Sequence, residues 1–155
     1  MKWEILFHFE NMIIGQYSHT IDDKKRISLP KNWKNLFGKK VVMTRGLDNC
    51  VFLYTTKEWT KIAEKLAQTS MGSRDARDLN RFFLSGATET DVDSAGRILL
   101  PEYLKDFAKL EKEVIFAGLF NRAEIWNEKE WNKKQKEVSE RADDVASKLQ
   151  EIGMI

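Results

Sequence analysis

Two short segments of the chain place an aspartate four residues before an arginine. They read IDDKKRISLP and VDSAGRILLP and begin 71 residues apart, so that Asp22 precedes Arg26 and Asp93 precedes Arg97. An aspartate carboxylate caps a tight turn by accepting hydrogen bonds from the backbone N–H groups that follow it. It can also hold a guanidinium group through a charge-assisted hydrogen bond. The spacing therefore predicts two turns that each fix one arginine, and a purely structural hairpin staple is the competing interpretation.

The similarity of the two segments continues on both sides of them. Residues 19–59 match residues 90–131 when one residue of slippage is allowed near Thr44. The matched stretches include Gly46-Leu47 with Gly118-Leu119, and Lys57-Glu58-Trp59 with Lys129-Glu130-Trp131. An internal duplication decides the architecture, so we predict a chain built from two similar halves.

Each half has the pattern of a strand, a turn, a second strand and a short helix. Apolar residues flank the polar turn, which is typical of a hairpin, and Pro30 or Pro101 then ends the second strand and opens a helix. The predicted strands are 13–21, 39–45, 50–54, 114–119 and 123–126, and the predicted short helices are 31–37 and 101–110. This mixture of strands and helices predicts an α+β protein.

Longer helices are predicted between the halves and at the end of the chain. Residues 56–87 have apolar positions at helical spacing, with Thr56 as the expected N-cap and a break at Gly72. A terminal helix over 128–152 carries an apolar seam at alternating three- and four-residue steps. Its members are Trp131, Val138, Ala142, Val145, Leu149 and Ile152, with Gln135 completing the series. We expect this seam to pack on its own chain or on a neighbouring one.

The composition is that of an ordinary globular protein and argues against several kinds of chemistry. The 155 residues are 42% hydrophobic and 32% charged, and the single Cys50 excludes an intramolecular disulfide and fits a reducing cytoplasm. No zinc-binding, nucleotide-binding or hydrolase motif is present, and His19 has no partner cluster, so a structural polar contact is its expected role. We therefore expect no catalytic residues, no metal, no cofactor, no small-molecule substrate and no membrane partner.

The positive charge of the chain is concentrated in the first half. Residues 22–45 contain eight lysines and arginines and two aspartates, a net charge of +6, whereas the whole chain carries +2, so the remainder sums to −4. A local basic patch is typical of a surface that binds phosphate groups. A solvated face that keeps the protein soluble explains the same charges equally well.

A second basic feature lies on the predicted helix 73–84. Arg74, Arg77 and Arg81 recur at helical spacing on one face, beside two aspartates. The aspartates weaken the electrostatic field of the arginines. A secondary basic face and a simply solvated helix face are therefore both open interpretations.

The two turns, their spacing and the helical segment between them resemble the MraZ family of bacterial transcriptional regulators, which carry two tandem AbrB/SpoVT-type half-domains. The resemblance covers residues 12–155. It implies an α+β fold in which two fused half-domains form a small swapped-hairpin-type β-barrel with central helices and a C-terminal helix. The implied divisions are an extension that is disordered or a start-site artefact (1–11), a first half-domain (12–59), a helical connector (60–89) and a second half-domain with the terminal helix (90–155).

The resemblance also implies a function. MraZ-like proteins assemble into rings and bind short direct repeats of double-stranded DNA upstream of the division and cell-wall gene cluster, whose transcription they regulate, often as repressors. It implies a cytoplasmic, nucleoid-associated protein in which Asp22 and Asp93 orient the turns. The residues expected to contact DNA are Lys24, Lys25, Arg26 and Arg97. The alternative function is a protein-interaction module of the antitoxin-like type, with the terminal helix as its docking surface.

The two turns differ in the residues before the arginine. Many members of the family have glycine there, as Gly96 stands before Arg97, whereas this chain has Lys25 before Arg26. Lysine is disfavoured at positive φ, so the sequence leaves open whether the first turn has the same shape as the second. Because Lys24 also lies in the first turn and the second turn has no lysine, we expect the first turn to bind phosphate groups more strongly.

Overall fold

The computed structural model describes residues 12–69 and 71–155, so the predicted extension 1–11 lies outside the described residues. The first half contains β1 (Ile13–Thr20), β2 (Arg26–Ser28), a 3-10 turn (Lys31–Trp33), α1 (Lys34–Phe37), β3 (Lys40–Arg45), a second 3-10 turn (Leu47–Asn49) and β4 (Val51–Thr55). Two helices follow, α2 (Thr56–Ala67) and α3 (Arg74–Leu84). The second half contains β5 (Thr88–Asp91), β6 (Arg97–Leu99), α4 (Glu102–Phe107), β7 (Glu113–Phe120), β8 (Ala123–Asn127) and α5 (Glu128–Glu151).

The predicted α+β class is confirmed, and most element boundaries agree with the sequence pattern to within a few residues. The N-cap of α2 is Thr55, whose hydroxyl accepts a hydrogen bond from the backbone N–H of Glu58 at 3.1 Å. The prediction of Thr56 is therefore wrong by one residue. The break at Gly72 is confirmed, because α3 begins after Ser73, whose hydroxyl caps its first turn.

The two halves exchange their first strands. Six antiparallel strands form one sheet in the order β1-β7-β8-β4-β3-β5. The first strand of the first half, β1, pairs with β7 of the second half, and β5 of the second half pairs with β3 of the first. The order is unchanged when the halves are interchanged, so the sheet has the internal symmetry that a duplicated chain predicts. The consequence is that neither half contains its own complete sheet.

The second strands of the two halves pair with each other as a two-stranded ribbon. Ile27 lies opposite Ile98 at its centre, Arg26 opposite Leu99, and Ser28 opposite Arg97. Both isoleucines are fully buried. Because side chains alternate between the two faces of a strand, both arginines lie on the outer face. We call this pair of strands, Arg26–Ser28 with Arg97–Leu99, the arginine ribbon.

The predicted closed barrel is not formed by the strands of the described residues. The ribbon is joined to the six-stranded sheet only by single β-bridges, between Ile21 and Ile27 on one side and between Val92 and Ile98 on the other. Each ribbon strand is three residues long and is soon followed by a proline, which has no N–H with which to extend the pairing. Strand pairing is therefore interrupted at two places, and β1 and β5 are the edge strands of the sheet.

Two apolar clusters hold the layers together. Ile27 and Ile98 of the ribbon belong to the larger cluster, which also contains Trp33, Phe116 and Leu53 and fills the space between the ribbon and the sheet. A fully buried side chain of this kind contributes about 1.5–3 kcal/mol relative to an exposed one. The second cluster contains other sheet residues and the aromatic side chains of α2, α3 and α5. The ribbon is thus supported from below by a packed core, and the residues of its outer face are partly or fully exposed among the described residues.

The terminal helix α5 leaves the body of the protein after its first turns. Trp131 packs edge-on against Trp126 at 5.5 Å between ring centroids, whereas residues 135–148 are all exposed. The predicted seam is present as an apolar stripe, with Val138 at 46% and Val145 at 36% of full exposure. Within the described residues, this part of the seam does not pack on its own chain.

Candidate nucleic-acid interface

The first turn is built around the carboxylate of Asp22. Its Oδ1 accepts hydrogen bonds from the backbone N–H groups of Lys24 and Arg26, each at 2.9 Å, and its Oδ2 accepts one from Arg26 Nε at 2.8 Å. The backbone closes the turn, because the Lys25 N–H donates to the Asp22 carbonyl and the Asp22 N–H donates to the Arg26 carbonyl. One carboxylate therefore fixes both the turn and the arginine, as the spacing predicts.

The second turn repeats this geometry. Asp93 Oδ1 accepts from the N–H groups of Ala95 and Arg97, each at 2.9 Å, and Oδ2 accepts from Arg97 Nε at 2.9 Å. The Gly96 N–H donates to the Asp93 carbonyl and the Asp93 N–H to the Arg97 carbonyl. The two turns are thus the same structure, formed once in each half.

The turns share the left-handed backbone conformation at the residue before the arginine. Lys25 has φ 61° and Gly96 has φ 77°. Lysine therefore does not change the shape of the first turn, because the hydrogen bonds of Asp22 and of the following backbone hold Lys25 in a conformation that glycine adopts without cost.

Hydrogen bonding to the ionised carboxylates lowers the pKa of both aspartates. For Asp22 the largest cause is the backbone N–H of Arg26, and for Asp93 it is the backbone N–H of Arg97; the guanidinium groups add to the effect. The side chains of the two arginines are 30% and 34% exposed. Only Nε is bound to the aspartate, and among the described residues neither pair of Nη groups has a protein partner. Two oriented guanidinium ends therefore face solvent.

The two turns are tied together through the ribbon. The Leu29 N–H donates to the Gly96 carbonyl at 2.9 Å, and the Leu100 N–H donates to the Lys25 carbonyl at 2.8 Å. Arg26 and Arg97 occupy diagonal positions on the outer face, and side chains at such positions start roughly 7–8 Å apart. The ribbon therefore presents both arginines as one rigid, internally symmetric pair.

The charged neighbours of each turn come from the other half of the chain. The Lys25 ammonium forms an ion pair with Glu102, the first residue of α4. The Lys34 ammonium, on α1, donates to the carbonyl oxygen of Ala95 at 3.3 Å. Sequence reasoning missed both Glu102 and Lys34, because neither lies near its turn along the chain and the strand exchange that brings them together has no local signature.

Several other cations of the basic first half have structural partners. Lys40 is 3.2 Å from Glu89 on the neighbouring strand. The Arg45 guanidinium donates to the Phe82 carbonyl at 3.2 Å and lies over the rings of Phe82 and Tyr103. The surface available for phosphate is therefore smaller than the charge count of residues 22–45 predicts. Lys24 is exposed, and no ion pair involves it in the part of the chain that the structure describes.

The stripe on α3 is engaged locally. Arg81 Nη1 lies 2.9 Å from Asp78 Oδ1, and Arg74 Nε lies 4.0 Å from Asp78 Oδ2. Arg77 Nη1 donates to the carbonyl of Met71 at 2.6 Å. Each of these arginines thus has a protein contact that binding of a phosphate would have to replace or share, and the stripe offers less free positive charge than the sequence pattern indicates.

The remaining candidate groups have ordinary structural environments. His19 packs edge-on against Phe116 at 5.4 Å, and its pKa is lowered, first by burial and then by the charge of Lys34. Cys50 is buried, and burial raises the pKa of its thiol, so thiolate chemistry is suppressed. Residues 12–69 and 71–155 contain no cluster of three or more potential metal-ligating side chains. None of their helices is long and apolar enough to cross a membrane.

Comparison with known proteins identifies the family. The family model described as "MraZ protein, putative antitoxin-like" matches residues 12–82 and again 83–151. The proteins named "Transcriptional regulator MraZ" from Caldicellulosiruptor saccharolyticus and from Alkaliphilus oremlandii are each 43% identical over 143 residues, which is 92% of this chain and 100% of the relative. The protein of the same name from Caldanaerobacter subterraneus subsp. tengcongensis is 45% identical over 138 residues, or 89% of this chain and 96% of the relative. Transcriptional regulators are not a class of enzyme. The chain, with its two repeats, belongs to the MraZ family.

Proposed function

We propose that this chain is a sequence-specific DNA-binding transcriptional regulator whose arginine ribbon enters the major groove. The observation that carries the proposal is the pair of aspartate-held arginines on the outer, partly exposed face of a two-stranded ribbon. The major groove of B-DNA is wide enough for a two-stranded β-ribbon. The names of the relatives support regulation of transcription.

The geometry of each turn suits recognition of guanine. Arginine discriminates guanine by donating two hydrogen bonds, to O6 and N7. Asp22 and Asp93 occupy the Nε groups of Arg26 and Arg97 and leave the Nη groups for the base. Since the guanidinium groups are already oriented, less rotamer freedom is lost on binding. The carboxylates repel phosphate and therefore act by positioning the arginines.

Lysines near the turns supply affinity that does not depend on sequence. Lys24 and Lys25 lie in the first turn, and an ammonium group that neutralises a phosphate releases a counterion, which makes binding sensitive to salt. The partner in this proposal is double-stranded DNA. The secondary basic face formed by Arg74, Arg77 and Arg81 lies outside the proposed interface because each of its arginines has a local contact.

Self-association extends the proposal from one ribbon to several. The exposed seam of α5 gives the chain an apolar surface that a second copy can cover. A heterologous interface that closes on itself makes a ring, and a ring presents several ribbons to tandem direct repeats, which raises the affinity through effective concentration. The same proposal includes the binding site, the effect and the location: the chain binds direct repeats upstream of the division and cell-wall gene cluster as a repressor, and it is associated with the nucleoid in the cytoplasm. It also includes the fold of the halves, with residues 12–59 and 90–155 as AbrB/SpoVT-like half-domains.

A protein-interaction module is the second candidate function. The exposure of residues 135–148 along a 24-residue helix favours it, because such a stripe can also receive a different protein. Light scattering separates the two uses of α5. Self-association predicts a mass several times the 18.1 kDa of one chain, and a monomer at micromolar concentration contradicts the ring.

The DNA proposal is tested by fluorescence anisotropy with the duplex upstream of the chain's own gene and with a random duplex. The double variant Arg26→Ala/Arg97→Ala should lose the preference for the first duplex, because each lost bidentate contact costs about 1–3 kcal/mol. The double variant Arg74→Ala/Arg81→Ala removes the same charge from α3 and serves as the matched control. Equal loss in both variants, with native circular dichroism, contradicts a reading role for the ribbon.

A further inference from the structure

The exchange of strands also exchanges the charged surroundings of the two turns. The Val92 N–H donates to the Lys39 carbonyl at 2.8 Å, and the Ile21 N–H donates to the Lys112 carbonyl at 2.8 Å. The loop beside the second turn therefore reads Gly38-Lys39-Lys40, and the loop beside the first reads Glu111-Lys112-Glu113. The basic residues of the first half thus flank the arginine turn of the second half, and acidic residues of the second half flank the turn of the first.

We propose that two residues, Glu102 and Lys34, set the relative strength with which the two turns bind the DNA backbone. Glu102 withholds the Lys25 ammonium from phosphate at the first turn, and Lys34 supplies the second turn with the cation that its own sequence lacks. This inference rests on the proposed function of the arginine ribbon. Both residues act on the backbone contacts, and the arginines keep the role of contacting bases.

The contact of Lys25 with Glu102 has the character of a neutralising pair. Their side chains are 47% and 53% exposed, and an exposed ion pair contributes little to the stability of a fold. Its effect on a phosphate is larger, because a carboxylate on the ammonium cancels the charge that attracts the backbone. Lys25 must break this pair or share it before it can release a counterion from DNA.

The contact of Lys34 with the second turn is held by packing as well as by its hydrogen bond. A Cβ atom placed on Gly96 would lie 2.5 Å from Lys34 Cε and 2.7 Å from Nζ. Glycine at this position therefore serves two purposes, since it accepts a positive φ of 77° and leaves room for the lysine side chain. The ammonium is bound to the Ala95 carbonyl and has no carboxylate partner within the described residues, so its charge is available to a phosphate.

These two contacts change the expectation, based on the turn sequences alone, that the first turn binds phosphate groups more strongly than the second. Lys24 and Lys25 give the first turn two cations along the chain, but one is paired with Glu102; the second turn has none along the chain and receives Lys34 from α1. We expect each turn to engage the backbone through one unpaired ammonium, and Lys39 adds further positive charge on the side of the second.

The experiment measures the slope of log affinity against log salt concentration on random duplex DNA with the full chain. One phosphate contact contributes about 0.9 to this slope. Glu102→Gln should steepen the slope by about 0.9 for each first turn that contacts the duplex, and in a Lys25→Ala background it should have no effect. Lys34→Gln should reduce the slope by a similar amount, whereas Lys34→Arg should preserve it. Lys65→Gln, on α2 at the other face of the sheet, is the control for loss of one positive charge.

Each outcome bears on the inference separately from the proposed function. An unchanged slope in Glu102→Gln, or a steeper slope that persists without Lys25, overturns the role of Glu102. A slope in Lys34→Gln equal to that of Lys65→Gln overturns the role of Lys34. If Arg26→Ala/Arg97→Ala binds the upstream duplex as wild type does, the proposed function fails first. Circular dichroism and thermal melting confirm that every variant is folded.

Discussion

The turn of residues 22–26 and the turn of residues 93–97 form the same five hydrogen bonds, yet the charged side chains that reach them come from opposite halves. Glu102 of the second half lies on the first turn, and Lys34 of the first half lies on the second. The difference shows that a duplicated motif keeps its local geometry while its surface charge is set by the partner half. When two halves exchange strands, charged residues that are close together in the sequence can act at different places on the surface.

The largest expected effects are on stability, and substitutions at the two matching positions in the core of the ribbon should lower the unfolding free energy by similar amounts. Ile27→Ala and Ile98→Ala each remove a fully buried side chain from the centre of the ribbon, and such truncations cost about 2–5 kcal/mol of unfolding free energy. We expect similar losses in urea denaturation for both variants. Leu99→Ala, on the exposed outer face, should change stability by less than about 0.5 kcal/mol. A large loss in only one isoleucine variant would show that the two halves do not support the ribbon equally.

The single arginine variants test whether the turns are equal readers of DNA. Arg26→Ala and Arg97→Ala should each weaken binding to the upstream duplex by about 5- to 150-fold for every ribbon that contacts it, the equivalent of one bidentate guanine contact per ribbon. Because Lys34 compensates the second turn, we expect Arg97→Ala to cost at least as much as Arg26→Ala. The dissociation constants of both folded variants, measured at one salt concentration, decide the order. A much larger loss of affinity in Arg26→Ala than in Arg97→Ala would instead support the prediction from the turn sequences, in which the first turn binds DNA more strongly.

The local structure of the site is accessible from the sequence because its determinants are neighbours along the chain. Asp22 and Arg26 are four residues apart, so the turn and the ion pair follow from elementary turn chemistry. The short helices follow in the same way from Pro30 and Pro101. These features depend on backbone geometry over a few residues, and both halves repeat them.

The arrangement of the halves is not accessible in this way. Whether β1 pairs within its own half or with β7 depends on contacts between residues some 100 positions apart, and both pairings satisfy the same apolar pattern. The closed barrel implied by the family resemblance fails because the three-residue ribbon strands are too short for continuous pairing. The roles of Glu102 and Lys34 depend on that same arrangement, and the sequence pattern assigns both only to helical surfaces.

Both turns should contribute to the loss of stability that the protein shows as the pH falls. The pKa of Asp22 and that of Asp93 are lowered in the folded state, chiefly by the backbone N–H of the arginine that each one binds. The stability that they contribute is therefore present above the usual aspartate pKa of about 3.9 and is lost as the pH falls through the lower folded values. Asp22→Asn and Asp93→Asn should each lower the melting temperature at pH 7, and the difference from wild type should shrink as the pH falls below the usual aspartate value. A difference from wild type that stays constant with pH would show that ionisation of the carboxylates is not the cause.

The smallest expected effect comes from His19 on β1, which has no titrating counterpart in the second half. The pKa of His19 is lowered by burial and, to a lesser degree, by the charge of Lys34, whereas the matching position in the second half is Thr90, which does not titrate. Because the folded pKa lies below the unfolded value of about 6.5, the unfolded state binds more protons in this range, and stability falls as the pH drops below 6.5. His19→Gln should remove part of the loss in melting temperature between pH 7 and pH 5, and Lys34→Gln should remove a smaller part. Parallel curves for wild type and His19→Gln would show that this histidine does not make the pH dependence of the two halves different.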